Sequence, residues 1–293
     1  MEVIHTVDAM QSHADALRAE GQTLALVPTL GALHEGHLAL VRRALEEADQ
    51  VVVSVFVNPT QFGPDEDYDE YPRDLEGDKE KLRALGVQAL FAPSTEEMYP
   101  FANDDALPGP LSWVEVDHLD KHLCGAYREG HFRGVTTVVT KLFHATKPDV
   151  AVFGKKDAQQ YVIIRRLVED LLFDIDIVGV PTVREADGLA KSSRNAYLDD
   201  DERAQATVLY DAVTAAREAV EGGEQDPEAV VRAMDQALSG APDGTVEYAE
   251  VVDAHTLQPV DHLVPGQDVL AAVAVYFGDT RLIDNTFVTV PGR

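Results

Sequence analysis

The sequence predicts an α/β protein: a doubly wound, mostly parallel sheet over residues 1–183, followed by a smaller α+β domain over 184–293. Three observations carry that prediction. Strand-sized apolar runs alternate with amphipathic stretches of helical length through the first two-thirds of the chain. Several runs are apolar at successive positions, as in Val51, Val52, Val53, Ser54, Val55, Phe56 and Val57, which suits strands covered on both faces. After about Pro181 the texture changes to Ala-rich helical sequence and then to three strand-like segments.

The elements follow in order. Residues 24–28 read as a buried strand, and 37–49 as a helix with Leu38, Val41, Leu45 and Ala48 on its apolar side and Arg42, Arg43, Glu46 and Glu47 facing out. Residues 51–57 form the second strand, 74–85 a charged helix, and 89–92 a short third strand. Residues 103–110 read as a surface loop by composition. A helix over 134–145 carries Val135, Val138, Val139, Leu142 and Phe143 on one side; strands at 149–153 and 176–180 flank a helix at 159–171. In the smaller domain, 202–221 reads as one long helix, 222–227 as a turn before a helix ending near Leu238, and 240–244 as a breaker. Strands are expected at 247–252, 269–277 and 285–290. Ligands of such parallel sheets bind at the carboxyl ends of the strands.

Composition narrows the function. The chain has 52 acidic and 24 basic side chains, a formal charge of −28. No basic footprint for nucleic acid or anionic lipid is present at that level. Hydrophobic residues make up 45% of the chain, enough in periodic runs to exclude disorder from charge alone. The basic residues are 8 Lys and 16 Arg. An acidic, Lys-poor surface fits a protein adapted to high salt, where carboxylates stay hydrated and their repulsion is screened; an ordinary acidic cytosolic surface is the alternative. The single cysteine, Cys124, permits no intramolecular disulfide and reads as an incidental thiol. The first residues lack the basic and apolar regions of a signal peptide, and no apolar run approaches the ~20 residues of a membrane span, so a cytoplasmic protein is expected.

Chemistry concentrates in loops after the strands. Leu30, Gly31, Ala32, Leu33, His34, Glu35, Gly36 and His37 link the first clear strand to a helix start, a phosphate-binding layout. The glycine spacing matches neither G-x-G-x-x-G nor a Walker A loop. Two imidazoles in His34-x-Gly36-His37 could donate to phosphate oxygens and stabilise charge developing on an α-phosphate. Read alone, they also fit surface histidines at a helix start, or a metal pair one residue short of H-E-x-x-H. Near the domain change, Lys191, Ser192, Ser193 and Arg194 form a cationic, hydroxyl-rich run suited to a pyrophosphate leaving group, or simply a solvated turn. Gly154, Lys155, Lys156 and Asp157 follow another strand, where a lysine could hold a phosphate. Gln61 and Gln160 are neutral hydrogen-bonding groups fit for a hydroxylated substrate, or loop glutamines.

Taken jointly, residues 27–37, 56–63, 71–73 (Tyr-Pro-Arg), 130–134 (Gly-His-Phe-Arg-Gly), 153–160 and 189–195 resemble the pantothenate synthetases, or pantoate–β-alanine ligases, of the H-x-G-H nucleotidyltransferase superfamily. The likeness runs in order from about 24 to 198; the C-terminal hundred residues share only length and general pattern. It implies a Rossmann-like nucleotide- and pantoate-binding domain with a C-terminal lid. It also implies ATP-dependent condensation of (R)-pantoate with β-alanine through pantoyl adenylate, with release of pyrophosphate and then AMP. Adenylation gives the carboxylate a good leaving group, and shielding the mixed anhydride from water prevents its hydrolysis. Under the resemblance, residues 30–37 wrap ATP, and His34 and His37 act on its phosphates, with Lys156 and Arg194 as further catalytic groups. Gly154, Lys155, Lys156, Asp157, Val183, Lys191, Ser192, Ser193 and Arg194 complete the nucleotide site. Gln61 and Gln160 bind pantoate, Gln61 also lines the β-alanine position, and Asp78 is a candidate ligand for Mg²⁺. A homodimer is implied.

Three positions depart from the family pattern. Leu30 stands for a usual methionine, Lys155 for the glutamate of Gly-Glu-Lys-Asp, and Lys191 for an apolar residue. The two lysines read as local compensation for the acidic surface. The nearest rival is an H-x-G-H transferase acting on a phosphate acceptor, against which Gln61 and Gln160 argue. A zinc-dependent hydrolase built on His34 and His37 and a non-catalytic nucleotide-binding module are rivals of other classes.

Overall fold

The four central strands of one sheet are largely buried, as strands covered on both faces should be, while its two edge strands are less so. The computed structural model describes residues 1–64, 66–100 and 109–292. The loop expected at 103–110 falls, but for its last two residues, outside the described residues. The chain divides into two units, Met1–Val116 with Arg128–Lys155 and Ile163–Pro181, and Asp117–Tyr127 with Lys156–Val162 and Thr182–Arg293.

The first unit holds β1 (Glu2–Ile4), β2 (Leu24–Thr29), β3 (Gln50–Val55), β4 (Ala89–Phe91), β5 (Val150–Gly154) and β6 (Asp176–Val180). All pair in parallel, in the order β1-β4-β3-β2-β5-β6. The chain winds outward from β2 through β3 and β4, then returns to β2 and winds the other way through β5 and β6. This is the doubly wound sheet the sequence predicts, and its direction reverses between β2 and β5, where ligands of open α/β sheets lie. Its helices are α1 (Val7–Ala19), α2 (Glu35–Glu47), α3 (Leu75–Ala84), the single turn α4 (Thr95–Met98) and α6 (His131–Thr146), which follows the short α5 (Cys124–Tyr127) of the second unit; α7 (Ala158–Asp170) belongs to both units. Val27, Val41, Val53, Leu82, Leu90 and Val152 pack together in one core, each fully buried. Each such side chain contributes about 1.5–3 kcal/mol by leaving water. β1 and α1 were not anticipated: β1 has only three residues, and α1 buries only Met10 and Ala14.

The second unit carries α8 (Asp200–Gln205), α9 (Val208–Glu221) and α10 (Pro227–Leu238) against an antiparallel meander of β7 (Gly244–Asp253), β8 (Asp268–Phe277) and β9 (Thr280–Thr289). Ala212, Val213, Ala216, Val230 and Met234 of the helices pack against Val273, Val275 and Phe277 of the sheet. The helix expected over 202–221 is two helices. Thr207 Oγ donates to the Ala204 carbonyl at 3.0 Å, a local bond that competes with the helical ladder, and a new helix starts at Val208. β9 starts at Thr280, five residues before the expected strand, because the hairpin closes through Gly278 and Asp279 with Phe277 opposite Thr280. Among the described residues no helix is long and apolar enough to cross a membrane.

Candidate active site

The loop after β2 is shaped before it meets any ligand. Gly31 has φ +92°, and a Cβ there would lie 2.9 Å from Val55 Cγ1 and 3.2 Å from Asp78 Oδ2, so only glycine fits. Ala32 follows at φ +50°, a left-handed conformation costly for a residue with a Cβ. Asp78 holds it there: Oδ2 accepts from Ala32 N–H at 2.9 Å and Oδ1 from Leu33 N–H at 2.7 Å. Thr29 Oγ accepts from Gly31 N–H and donates to the Ser54 carbonyl, and Lys81 Nζ donates to the Leu33 carbonyl at 2.7 Å. The Asp78 side chain is fully buried. Burial pushes its carboxyl above the usual range, against the pull of the Leu33 and Ala32 N–H groups and Lys81. The expectation of Asp78 as a magnesium ligand therefore meets a carboxylate with both oxygens bonded to the loop. Among the described residues no group of three or more His, Cys, Asp or Glu is arranged to hold a metal.

The two histidines start α2. His34 is its N-cap, with Nδ1 accepting from Gly36 N–H at 3.1 Å; His37 Nδ1 accepts from His34 N–H at 3.3 Å. This is a reciprocal capping box in which imidazoles replace the usual Ser and Glu. An imidazole nitrogen that accepts carries no proton, so each neutral ring bears its proton on Nε2. The ring centroids are 4.1 Å apart. Two ring donors thus sit beside the positive end of a 13-residue helix.

Gln61 ends a 3-10 turn (Pro59–Gln61) capped by Asn58. Asn58 is fully buried; its Nδ2 donates to Gln61 Oε1 at 3.1 Å and to the Gly134 carbonyl at 3.3 Å. Its Oδ1 accepts from Tyr99 Oη–H at 2.8 Å and from the Thr60 hydroxyl at 3.0 Å. With Gln61 Oε1 so engaged, its NH₂ is the end suited to an acceptor on a substrate. Gly134 lets α6 close on this turn, since a Cβ would come within 2.2 Å of the Thr60 carbonyl oxygen. His131 Nδ1 donates to the Gln61 carbonyl at 2.8 Å and Nε2 accepts from Arg128, whose guanidinium forks onto Glu66. Burial would raise the Glu66 carboxyl, but Arg128 outweighs it and holds the group below its usual range. Asn58, Tyr99, Arg128 and His131 had no expected role, although Asn58 and His131 lie in segments that carry the family resemblance and Asn58-Pro59 is a cap signal in its own right.

In the second unit, Lys156 and Asp157 lie in the 3-10 turn Lys155–Asp157, and the Lys156 carbonyl accepts from Asn285 Nδ2 at 2.7 Å. Gln159 and Gln160 diverge. Gln159 is buried and bonded to the Leu119 and His122 carbonyls, whereas Gln160, the expected pantoate ligand, is half-buried on the first turn of α7. Val183 and Lys191 close a hairpin through Lys191 N–H to the Val183 carbonyl, with Glu185 N–H bonded to the Leu189 carbonyl. Inside it Arg184 forks onto Asp284 at 2.6 and 2.9 Å and lies 4.5 Å over the Tyr210 ring. Ser192 caps the 3-10 turn Ser193–Tyr197, its Oγ accepting from Arg194 N–H. Lys191 Nζ is 2.8 Å from Glu185 Oε1, so the extra charge expected to compensate the acidic surface is already paired. Of the expected site residues, those at 30–37, 61, 78, 154 and 155 lie in the first unit and those at 156, 157, 160, 183 and 191–194 in the second.

Known proteins resemble this chain along nearly its whole length. The family model described as pantoate-beta-alanine ligase matches residues 2–287. The chain is 81% identical to a pantothenate synthetase of Salinibacter ruber over 99% of both chains, and 49% identical to one of Thermotoga petrophila over 98% of this chain and all of the other. Among solved structures, a pantothenate synthetase from Thermus thermophilus superposes with a TM-score of 0.88 at 44% identity, covering all of both chains. A pantoate-beta-alanine ligase from Francisella tularensis, complexed with beta-gamma ATP and beta-alanine, superposes with a TM-score of 0.77 at 32% identity, covering 98% of this chain and 97% of the other.

Proposed function

This chain belongs to the pantoate–β-alanine ligase family, the pantothenate synthetases, and from that premise we propose that it works through a pantoyl-adenylate intermediate. A pantoate carboxylate oxygen attacks the α-phosphorus of ATP, the bond to the bridging oxygen breaks, and pyrophosphate leaves. The amine of β-alanine then attacks the acyl carbon, the carbon–oxygen bond to AMP breaks, and the amine loses a proton as the amide forms. The beta-gamma ATP and beta-alanine bound by the Francisella relative support the nucleotide and the amine of this ligand set here.

The observation that carries the reading is the reciprocal cap of His34 and His37. It fixes both rings by backbone N–H groups bonded at Nδ1 and sets the two imidazoles at the positive end of α2, a place suited to a phosphate on which charge builds as the α-phosphorus is attacked. In this reading residues 30–37 wrap the nucleotide with Gly154, Lys155, Asp157 and Val183. Lys156, Ser192, Ser193 and Arg194 take the β- and γ-phosphates and stabilise departing pyrophosphate, beside Lys191. Gln61 and Gln160 hold the hydroxyls and carboxylate of pantoate, and Gln61 also borders the β-alanine position. Magnesium is expected on the triphosphate itself, keeping its waters, because Asp78 is bonded to the loop. No step above is routed through it. A homodimer in the cytoplasm, with an acidic surface suited to high salt, completes the proposal.

The test is pantoate-dependent exchange of labelled pyrophosphate into ATP without β-alanine, followed by pantothenate and AMP formation when β-alanine is added. Pantothenate made without any such exchange, and without a chase of isolated pantoyl adenylate into product, would rule out the intermediate.

A further inference from the structure

Strand β9 places two polar side chains next to each other, Asp284 and Asn285, and both are buried. A buried amide or carboxylate persists only with a partner, and here both partners are segments that carry proposed phosphate-binding groups. Asn285 Nδ2 donates to the backbone carbonyl of Lys156 at 2.7 Å. Asp284 forks onto Arg184 at 2.6 and 2.9 Å, and Arg184 also donates to the Gly188 carbonyl at 3.0 Å. Arg184 pairs across the hairpin with Ala190, immediately before Lys191 and Ser192. Gly188 seals that hairpin onto Tyr210, since a Cβ would lie 2.1 Å from the ring. β9 itself is paired with β8 at all ten of its positions. One rigid strand therefore anchors both the turn of Lys156 and the hairpin that runs into Ser192, Ser193 and Arg194.

We propose that Asn285 is a positioning residue for the departure of pyrophosphate, holding the backbone of Lys156 in register with the segment that Asp284 fixes through Arg184. The inference rests on the reading of Lys156 as a phosphate-binding group. Asn285 touches no reacting atom; it sets where the Lys156 side chain begins, and an error of about 1 Å in such a group costs on the order of a hundredfold in rate.

The experiment compares Asn285→Ala, Asn285→Asp, Lys156→Ala and the double variant Lys156→Ala/Asn285→Ala in the full-length enzyme. Asn285→Asp keeps the side chain's size and replaces the donor with an acceptor facing a carbonyl, so it serves if the alanine variant folds poorly. Three readouts are taken: pantoate-dependent ATP–pyrophosphate exchange, consumption of preformed pantoyl adenylate by β-alanine, and thermal midpoint. Both Asn285 variants are expected to slow exchange at least about tenfold, as kcat, with the pantoate KM and the aminolysis rate changed less than about twofold. Adding Asn285→Ala to Lys156→Ala should bring no further loss of exchange. Normal exchange in both Asn285 variants, equal losses in exchange and aminolysis, or additive losses in the double variant would each overturn the proposal. If Lys156→Ala itself exchanges normally, the reading of Lys156 falls and takes this inference with it. If Lys156→Ala is slow and the Asn285 variants are not, the inference alone falls.

Discussion

Replacing Asp78 with asparagine separates two roles for one carboxylate. As a magnesium ligand, Asp78 would matter to metal affinity and little to the apo fold. As the strut of the β2–α2 loop, it accepts from Ala32 N–H at 2.9 Å and Leu33 N–H at 2.7 Å with its side chain fully buried, and its loss is felt without metal or nucleotide. Asparagine keeps one acceptor and turns an NH₂ toward the other N–H. That removes one charge-assisted bond, about 1.5–3 kcal/mol, and leaves a buried N–H unpaired, about 1–3 kcal/mol. Part is offset because burial already disfavours the charged form, as the raised carboxyl shows. A net loss of about 2–4 kcal/mol is expected, or roughly 4–16 °C in Tm for a chain of this size. The assay is a thermal melt in EDTA and again in excess Mg²⁺, with the same deficit in both. The pH dependence adds a second readout. A carboxyl raised in the folded state contributes stability that is full below its unfolded value and lost as pH rises through the folded value. Asp78→Asn should abolish that slope. A melt in EDTA within about 1 °C of the parent, with a higher Mg²⁺ requirement for turnover, would refute the strut and restore the ligand.

Other outcomes follow from the same geometry. His34→Asn keeps an N-cap acceptor but removes the ring donor, so exchange should fall about 10²-fold with little change in Tm, whereas His34→Ala should also cost about 1 kcal/mol of stability; melts and exchange rates check both. Glu66 is held below its usual range, so its contribution to stability is present above the unfolded carboxyl value and lost as pH falls through the folded one; Glu66→Gln should flatten that acid limb in a pH series of denaturant melts. Lys191→Leu should raise the KM for ATP, most at low salt, but by less than about threefold because Glu185 already faces the ammonium; Glu185→Gln should move it the other way. With a formal charge of −28, Tm should climb steadily with salt as self-repulsion is screened, and a flat response would remove the salt-adapted reading.

What could be read in the sequence had a local cause. Strand, glycine turn and helix start at 24–37 are marked by hydrophobic period and by Gly31, and the His34 cap falls where that pattern changes. The break at Thr207 was hidden because Ala206 and Thr207 sit comfortably in a helical pattern until a side-chain bond competes with the ladder. The early start of β9 was masked by Arg281 and Asp284, polar residues whose partners Glu247 and Arg184 lie 34 and 100 positions away. Asp78 is the sharpest case. A carboxylate in a first helical turn serves a dipole, a metal or a distant backbone equally well on paper, and only the approach of Ala32 and Leu33 decides.

The loop after β2 has a further property: it is not portable. Residues 24–47 carry the glycine, both histidines and the helix, and would look like a complete cassette for transplantation. Yet the left-handed turn at Ala32 is maintained by Asp78 and Lys81, side chains supplied from α3. A graft lacking them would deliver the imidazoles on a slack loop. Anyone moving this chemistry to another scaffold must move a helix that contributes no residue to the proposed ligand contacts.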